Sequence, residues 1–321
     1  MTPHPNPAPG ARPTGPRPGS ARFPAPGSTL PYLLFRTTPR DRWLLAMLAE
    51  HRVLTAQQIT TLAYGTLRSA NRRLSTLTQL KLVERFRANP DRYGAQPYHY
   101  ILGPSGALLV AAAHDLTPKQ FGYDRAKLNR QAYRADLAHT TGCNTLLVEL
   151  AAQHRTRPDQ RLTVWWDQDS CIPVWGDVIR PDAYAVLSAP DSTGTPSECG
   201  FFFEYDTGTE SLTQLAGKLR GYTRHGDAYG GHRPVLIHLP DAARELALHA
   251  RITPEHARCP VPLATVTDPG LSGPVWRPVD ADQRIALPDL PGHLAAAGYR
   301  LLPALTADRS VRAPAPLPPP R

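Results

Sequence analysis

The chain has 321 residues, with 36 Lys and Arg against 27 Asp and Glu, a formal net charge of +9, and 36 prolines. This length is enough for two domains. No apolar run approaches the roughly 18 to 20 residues of a membrane span, and the N-terminus lacks the apolar core of about 7 to 15 residues that a secretory signal carries, so a cytoplasmic protein with no membrane partner is expected.

Residues 1–35 are mostly Pro, Gly, Ala, Ser, Thr and Arg, and 313–321 are nearly all Pro and Ala. Such stretches bury too little apolar area to offset the entropy of ordering, so both read as disordered tails. The cysteines Cys143, Cys171, Cys199 and Cys259 form no C-x-x-C pair, which argues against a zinc ribbon and for scattered buried thiols. Charge is segregated. Residues 1–135 hold 19 Lys and Arg against 6 Asp and Glu, an excess of 13, whereas 136–321 hold 17 against 21, a deficit of 4. The first half is therefore expected to meet a polyanion, and double-stranded DNA is the natural candidate.

In chain order, Arg40 to His51 reads as a helix, with Trp43, Leu44, Met47 and Leu48 at helical spacing. Thr55 and Gln58 form a capping box for a second helix through Ala63, ended by Tyr64-Gly65 with the glycine left-handed. A third helix over Leu67 to Leu80 turns Leu67, Ala70, Leu74, Leu77 and Leu80 to one side and a basic, donor-rich set to the other. Lys81 to Arg87 and Pro97 to Leu102 read as two strands around a turn at Asn89 to Gln96, followed by a helix at Gly106 to Ala113. Three helices and a hairpin are the order of a winged helix-turn-helix domain, here residues 36–125, whose third helix enters the major groove. Arg68, Asn71, Arg72 and Arg73 are then the groove-facing residues, and Arg85, Arg87 and Arg92 in the wing meet phosphate or the minor groove. The same face also suits a domain that binds proteins.

Asp124 to Tyr133 reads as a linker helix and Arg134 to His154 as a longer one, along which Asp136, His139 and Cys143 share a side, first as a packed thiol beside a hydrogen-bonded imidazole and second as a metal site. Strands follow at Leu162 to Trp166, Val178 to Leu187 and Gly200 to Asp206, the last two joined by a polar loop at Ala189 to Glu198. A helix at Thr209 to His225, a strand at Arg233 to Leu239 and a helix at Pro240 to Ala250 complete the order α-β-β-β-α-β over residues 126–252. Residues 253–312 are an extension whose structure is open, with Leu263 to Thr267 as a candidate strand. Alternation along a strand points Glu204 and Asp206 the same way, and Asp182 on the neighbouring strand brings a third carboxylate to that face. Three carboxylates beside an apolar sheet need a positive partner, and a hard divalent cation is the usual one. Glu210 reads chiefly as the second half of a capping box with Thr207.

Arg180-Pro-Asp182 on one strand and Glu204-Tyr-Asp206 on the next resemble the PD-(D/E)XK nuclease superfamily. That resemblance implies a nuclease-like α/β fold behind the winged helix of an α+β and α/β chain, with Asp182 and Glu204 at magnesium, where the carboxylate face adds Asp206, and with Asp182, Glu204 and Lys218 catalytic. Asp206 stands where that superfamily has its lysine, and Lys218 one helix later is the candidate substitute. The span from about Thr38 to His238, with Ala138-His-Thr-Thr-Gly-Cys-Asn144, Arg180-Pro-Asp182, Phe203-Glu-Tyr-Asp-Thr-Gly-Thr-Glu210 and Lys218-Leu-Arg-Gly-Tyr222, also resembles the replication-relaxation family of plasmids and integrative elements. It implies a DNA-binding role in replication, relaxation or transfer, with replication or transfer proteins as further partners. Three functions stand open: a magnesium-dependent nicking protein, a DNA binder whose nuclease-like domain has lost its chemistry, and a winged-helix transcriptional regulator.

Overall fold

The computed structural model describes residues 29–88, 97–131, 136–256, 261–267, 271, 273–306 and 311–316. It is a mixed α+β structure built on a three-stranded and a seven-stranded sheet.

The first half opens with α1 (Leu30–Arg36), which buries Leu33 completely. This helix starts inside the stretch read as a tail, because Leu-Pro-Tyr-Leu-Leu supplies an apolar side chain for the core. A Thr38–Asp41 capping box starts α2 (Pro39–His51), and the helix ends at Arg52 in a left-handed conformation (φ 63°). After β1 (Leu54–Thr55), α3 (Ala56–Ala63) starts on the expected Thr55–Gln58 box. It does not end as expected. Tyr64 is extended (φ −132°, ψ 155°) and its N–H still bonds the Thr60 carbonyl, so no left-handed glycine is needed at Gly65. Thr66 caps α4 (Leu67–Gln79), which buries Ala70, Leu74 and Leu77. The antiparallel strands β2 (Val83–Arg87) and β3 (Tyr98–Leu102) follow, and the sheet order is β1-β3-β2. α5 (Pro104–Ala112) packs back on α2. The short α6 (Pro118–Phe121) and α7 (Arg125–Gln131) lead to α8 (Leu137–Ala152).

α8 joins the halves. Gln58 of α3 donates from Nε2 to the Thr141 carbonyl and to Thr145 Oγ1, both at 2.8 Å. Asn144 Nδ2 donates to the carbonyls of Val53 and His51, at 2.9 and 3.3 Å, beyond the end of α2. The Asn144 bond to His51 reaches a carbonyl that the end of α2 leaves open.

The second half is the sheet β10-β9-β8-β7-β6-β5-β4. β4 (Arg161–Asp167), β5 (Ala183–Pro190) and β6 (Pro196–Tyr205) are antiparallel neighbours, with α9 (Gln168–Trp175) between the first two. The polar stretch read as a loop over Ala189 to Glu198 is mostly hairpin. Pairing continues to Pro190 and Pro196, and the turn itself is held by Asp191 Oδ1 accepting from the N–H groups of Thr193 and Thr195. α10 (Leu212–Tyr229), β7 (Val235–His238), α11 (Ala242–His256) and β8 (Leu263–Val266) continue the chain, with β6, β7 and β8 parallel. β9 (Pro274–Pro278), β10 (Ile285–Ala286) and α12 (Leu290–Ala296) complete the structure, so the extension builds one side of the sheet.

Alternation sorts the strand residues onto two faces. Trp165, Phe201, Phe203 and Leu236 join α8, α12 and the core of the first half in one apolar cluster. Trp166, Tyr184, Phe202 and Ile237 pack under α9, α10 and α11 in a second. Phe201, Phe202 and Phe203 are each at most 1% exposed, and burying each such side chain stabilises the fold by about 1.5–3 kcal/mol. Past the extension the chain returns to the first half, where Trp43 Nε1 donates to the Ala315 carbonyl at 2.8 Å. The stretch read as a C-terminal tail thus has ordered contacts at its start. Cys143, Cys171 and Cys199 are buried free thiols, and Cys259 lies outside the described residues.

Candidate functional site

Two arrangements bear chemistry. The first is the outer side of α4. Burial of Ala70, Leu74 and Leu77 fixes the helix rotation, so Arg68, Asn71, Arg72 and Ser75 are exposed together. Arg73 does not join them. Its Nε and Nη2 donate to Asp41 Oδ1 and Oδ2 at 2.9 and 2.6 Å, and Nη2 also reaches the Arg36 carbonyl. Asp41 is 1% exposed. Burial alone would raise its pKa, but the bonds from Arg73 and Thr38 outweigh burial and hold it below the usual value. Arg73 is a strut between α2 and α4, a role that the sequence hides because its partner is 32 residues away. Arg85 and Arg87 are exposed on one face of β2, both over the Tyr98 ring at 4.4 and 4.2 Å. Arg92 lies outside the described residues.

The second arrangement sits where β5 begins and β6 ends. Ala183 pairs with Phe203, so the register carried one residue further sets Asp182 opposite Glu204. Asp182 precedes the strand rather than lying in it, contrary to the sequence reading. Its Oδ2 accepts the Tyr205 N–H at 2.8 Å and lies 3.1 Å from His139 Nε2 on α8. Glu204, 3% exposed, accepts from Tyr222 Oη on Oε1 at 2.5 Å and from Lys218 Nζ on Oε2 at 3.2 Å. Lys218 also bridges to Glu210 Oε2 at 3.1 Å. Lys218 and Tyr222 are one helical turn apart on α10, which is why both reach the same carboxylate.

Asp206 is not part of this cluster. Although it is two residues from Glu204, the strand ends at Tyr205, and Asp206 pairs with Arg244 of α11 and accepts the Gly208 N–H. Nor does Glu210 cap α10. Ser211 and Gln214 form that box, which leaves the Glu210 carboxylate to Lys218.

Burial first, and then the Asp182 charge, push Glu204 up to about 7. The hydrogen bond to Asp182 raises the His139 pKa. Burial alone would lower Lys218, but the charges of Glu204 and Asp182 hold it above its usual value. A buried carboxylate forced against a second one is electrostatically short of positive charge. Sequence reasoning missed His139, Tyr222 and Arg244 in these places. Only the i, i+4 spacing of Lys218 and Tyr222 hinted at one of them.

Among the described residues, no three His, Cys, Asp or Glu side chains converge as a metal-binding group. An all-protein cage of Asp182, Glu204 and Asp206 is therefore not formed. Asp182 and Glu204 remain as neighbouring carboxylates across the strand register, the donor type magnesium takes where one or two carboxylates are completed by phosphate oxygens and water. A cavity of about 120 Å³ opens beside Asp182 and His139 and runs to Arg52 and Asp167.

The molecule is thus a mixed α+β protein that presents a basic helix face in one half and an acid and lysine cluster in the other. The replication-relaxation family model matches residues 45–234, well over half of the chain and inclusive of both arrangements, and the chain belongs to that family. No curated protein and no solved structure matches it. No helix among the described residues is long and apolar enough to cross a membrane.

Proposed function

We propose that this chain is a duplex-DNA-binding protein of plasmid or mobile-element replication and DNA relaxation. α2, α3, α4 and the β2–β3 hairpin act as a winged helix-turn-helix reader. The observation that carries this reading is the exposed set Arg68, Asn71 and Arg72 on one side of a helix without acidic residues. Arginine and asparagine pair bidentately with guanine and adenine edges, and arginines along the wing add affinity through phosphate. Measuring duplex affinity of the full chain across salt concentrations tests it. A steep salt dependence is expected, with Arg68→Ala and Arg72→Ala each reducing the slope by about 0.9. Absence of binding at low salt would overturn the reading.

A second reading rests on the acid and lysine cluster. The order α8, β4, β5, β6, α10, β7, interrupted by α9 between β4 and β5, supports a PD-(D/E)XK-like domain, and Asp182 and Glu204 would hold magnesium together with a DNA phosphate. Bound there, magnesium supplies a Lewis acid for the phosphate and an attacking water of lowered pKa. The chain's own groups do the rest. Tyr222 orients Glu204, His139 and the Tyr205 N–H orient Asp182, and Lys218 offsets charge on phosphate oxygens. Incubating supercoiled plasmid with magnesium separates the alternatives. A nick lost in Asp182→Asn supports metal-dependent chemistry, whereas intact plasmid with intact binding indicates a scaffold or a regulator.

A further inference from the structure

A groove of about 600 Å³ lies between the start of α2 and α4, walled by Arg40, Tyr64, Ser69 and Arg72 and by the Asp41–Arg73 ion pair. Arg40 Nε and Tyr64 Oη are both shut off from solvent, and neither has a hydrogen-bond partner. They are close, with the Arg40 guanidinium 5.7 Å from the Tyr64 ring centre. A buried donor without an acceptor costs about 1–3 kcal/mol, and native structures seldom tolerate two in one wall without a reason.

The groove's charge says what is missing. Asp41 is its acid, and Arg73 already closes both carboxylate oxygens. Arg40 and Arg72 therefore leave the wall net positive. Burial, and then the Asp41 charge, push the Tyr64 hydroxyl up to about 12, so at neutral pH it is a donor. An acceptor-only, negatively charged ligand satisfies these groups once the Arg40 and Tyr64 side chains, closed to solvent in the free chain, turn toward it. The volume far exceeds one small anion, and the groove runs onto the exposed Arg72 of the α4 face, which suits a phosphate carried on a continuous strand.

We propose that Arg40 and Tyr64 form a binding site for a backbone phosphate of duplex DNA, beside the face of α4 and outside the residues read from the sequence. This rests on the duplex-binding reading above. It extends the footprint from α4 to the first turn of α2, so one strand is gripped while α4 lies in the groove. Phosphate contacts of this kind set register and orientation rather than sequence preference.

The test uses the full chain and a duplex, with Tyr64→Phe and Arg40→Gln compared with wild type and with Arg68→Ala. Tyr64→Phe removes one oxygen and keeps the ring, and because that oxygen lacks a partner the variant should melt no lower than wild type. We expect Arg40→Gln to reduce the slope of log affinity against log salt by about 0.9, and Tyr64→Phe to weaken binding by roughly ten- to a hundred-fold, as loss of one hydrogen bond to a charged group does. Wild-type affinity and slope in both variants, with Arg68→Ala still impaired, would overturn this site and leave the duplex reading standing. Wild-type protein that fails to bind duplex at low salt overturns both. If Arg40→Gln does not fold, Tyr64→Phe alone decides.

Discussion

Arg73 closes its guanidinium fork on Asp41, so the one arginine of α4 nearest the core serves the fold. Asp41→Ala leaves that guanidinium without its partner and removes the Asp41 half of the α2 capping box. We expect a loss of about 2–3 kcal/mol, below the 3–5 of a fully buried pair because the Arg73 side chain is 28% exposed. The pKa of Asp41 is depressed, so its contribution is complete above the ordinary value of 3.8 and is lost as pH falls through the lower folded value. Chemical denaturation between pH 7 and pH 2 checks this: wild type should lose stability at the acid end more steeply than Asp41→Ala. Arg73→Ala should also reduce duplex affinity less than Arg68→Ala.

Glu50 and Asp167 meet where the two halves touch. Glu50 accepts the Asp167 N–H and the Ser170 hydroxyl, both at 2.8 Å, while Arg52 pairs with the Asp167 carboxylate at 3.0 Å. Burial, reinforced by the Asp167 charge, raises Glu50 to about 8, and burial raises Asp167 to about 6. Raised acids contribute stability that is complete below their unfolded values and lost as pH climbs through the folded ones. Wild type should therefore weaken between about pH 5 and 8, by on the order of 1–3 kcal/mol. Glu50→Gln should flatten that slope. Denaturation midpoints at pH 5 and pH 8 give the comparison, and parallel slopes would count against it.

Arg244 ties the loop after β6 to α11 by holding Asp206 and the Glu210 carbonyl. Arg244→Ala strands a buried carboxylate and should cost about 2–4 kcal/mol. Amide exchange should quicken over residues 207–211. Because Asp206 stands apart from Glu204 and Asp182, Asp206→Asn should leave any magnesium-dependent heat unchanged, whereas Glu204→Gln should abolish it. Calorimetric titration of the two variants distinguishes a two-carboxylate site from a three-carboxylate one.

Gly142 lets α8 lie directly on Tyr205. A Cβ there would come within 2.4 Å of the ring, closer than packing permits. Gly142→Ala must push the helix or the ring aside, at about 1–3 kcal/mol. The displacement should carry His139 away from Asp182, since His139 is one turn earlier on the same helix. The His139 titration seen by NMR should then fall toward its ordinary value of 6.5, and an unshifted titration in a destabilised variant would mean that α8 had not moved.

The legible parts of this protein are those governed by neighbours in sequence. The Thr55–Gln58 box, the apolar stripe of α4 and the alternation from Phe201 to Tyr205 each depend on contacts within about four residues, and each was readable. Chain termini and the hairpin from Ala183 to Tyr205 were less so. Leu33 is buried because α5 offers it a surface, and Pro190 and Pro196 pair because the long strands before and after them already do. The candidate site divides the same way. Asp182, Glu204 and Lys218 lie beside one another, whereas His139 and Tyr222 stood in segments that resemble the family without a role attached to either.

By itself, the sequence determined the main helices and strands, the polar face of α4 and the gathering of positive charge in the first half, since local sterics, periodicity and composition settle these. Tertiary structure alone decided the partner of each charge. Asp206 went to Arg244 and Glu204 to Lys218, and Arg73 was withdrawn to Asp41 while Arg68 and Arg72 stayed in solvent. Lys218 is 14 residues from Glu204 and Arg244 is 38 from Asp206, so only the packing of the helices against β6 selects which cation lies close enough to offset the cost of leaving water.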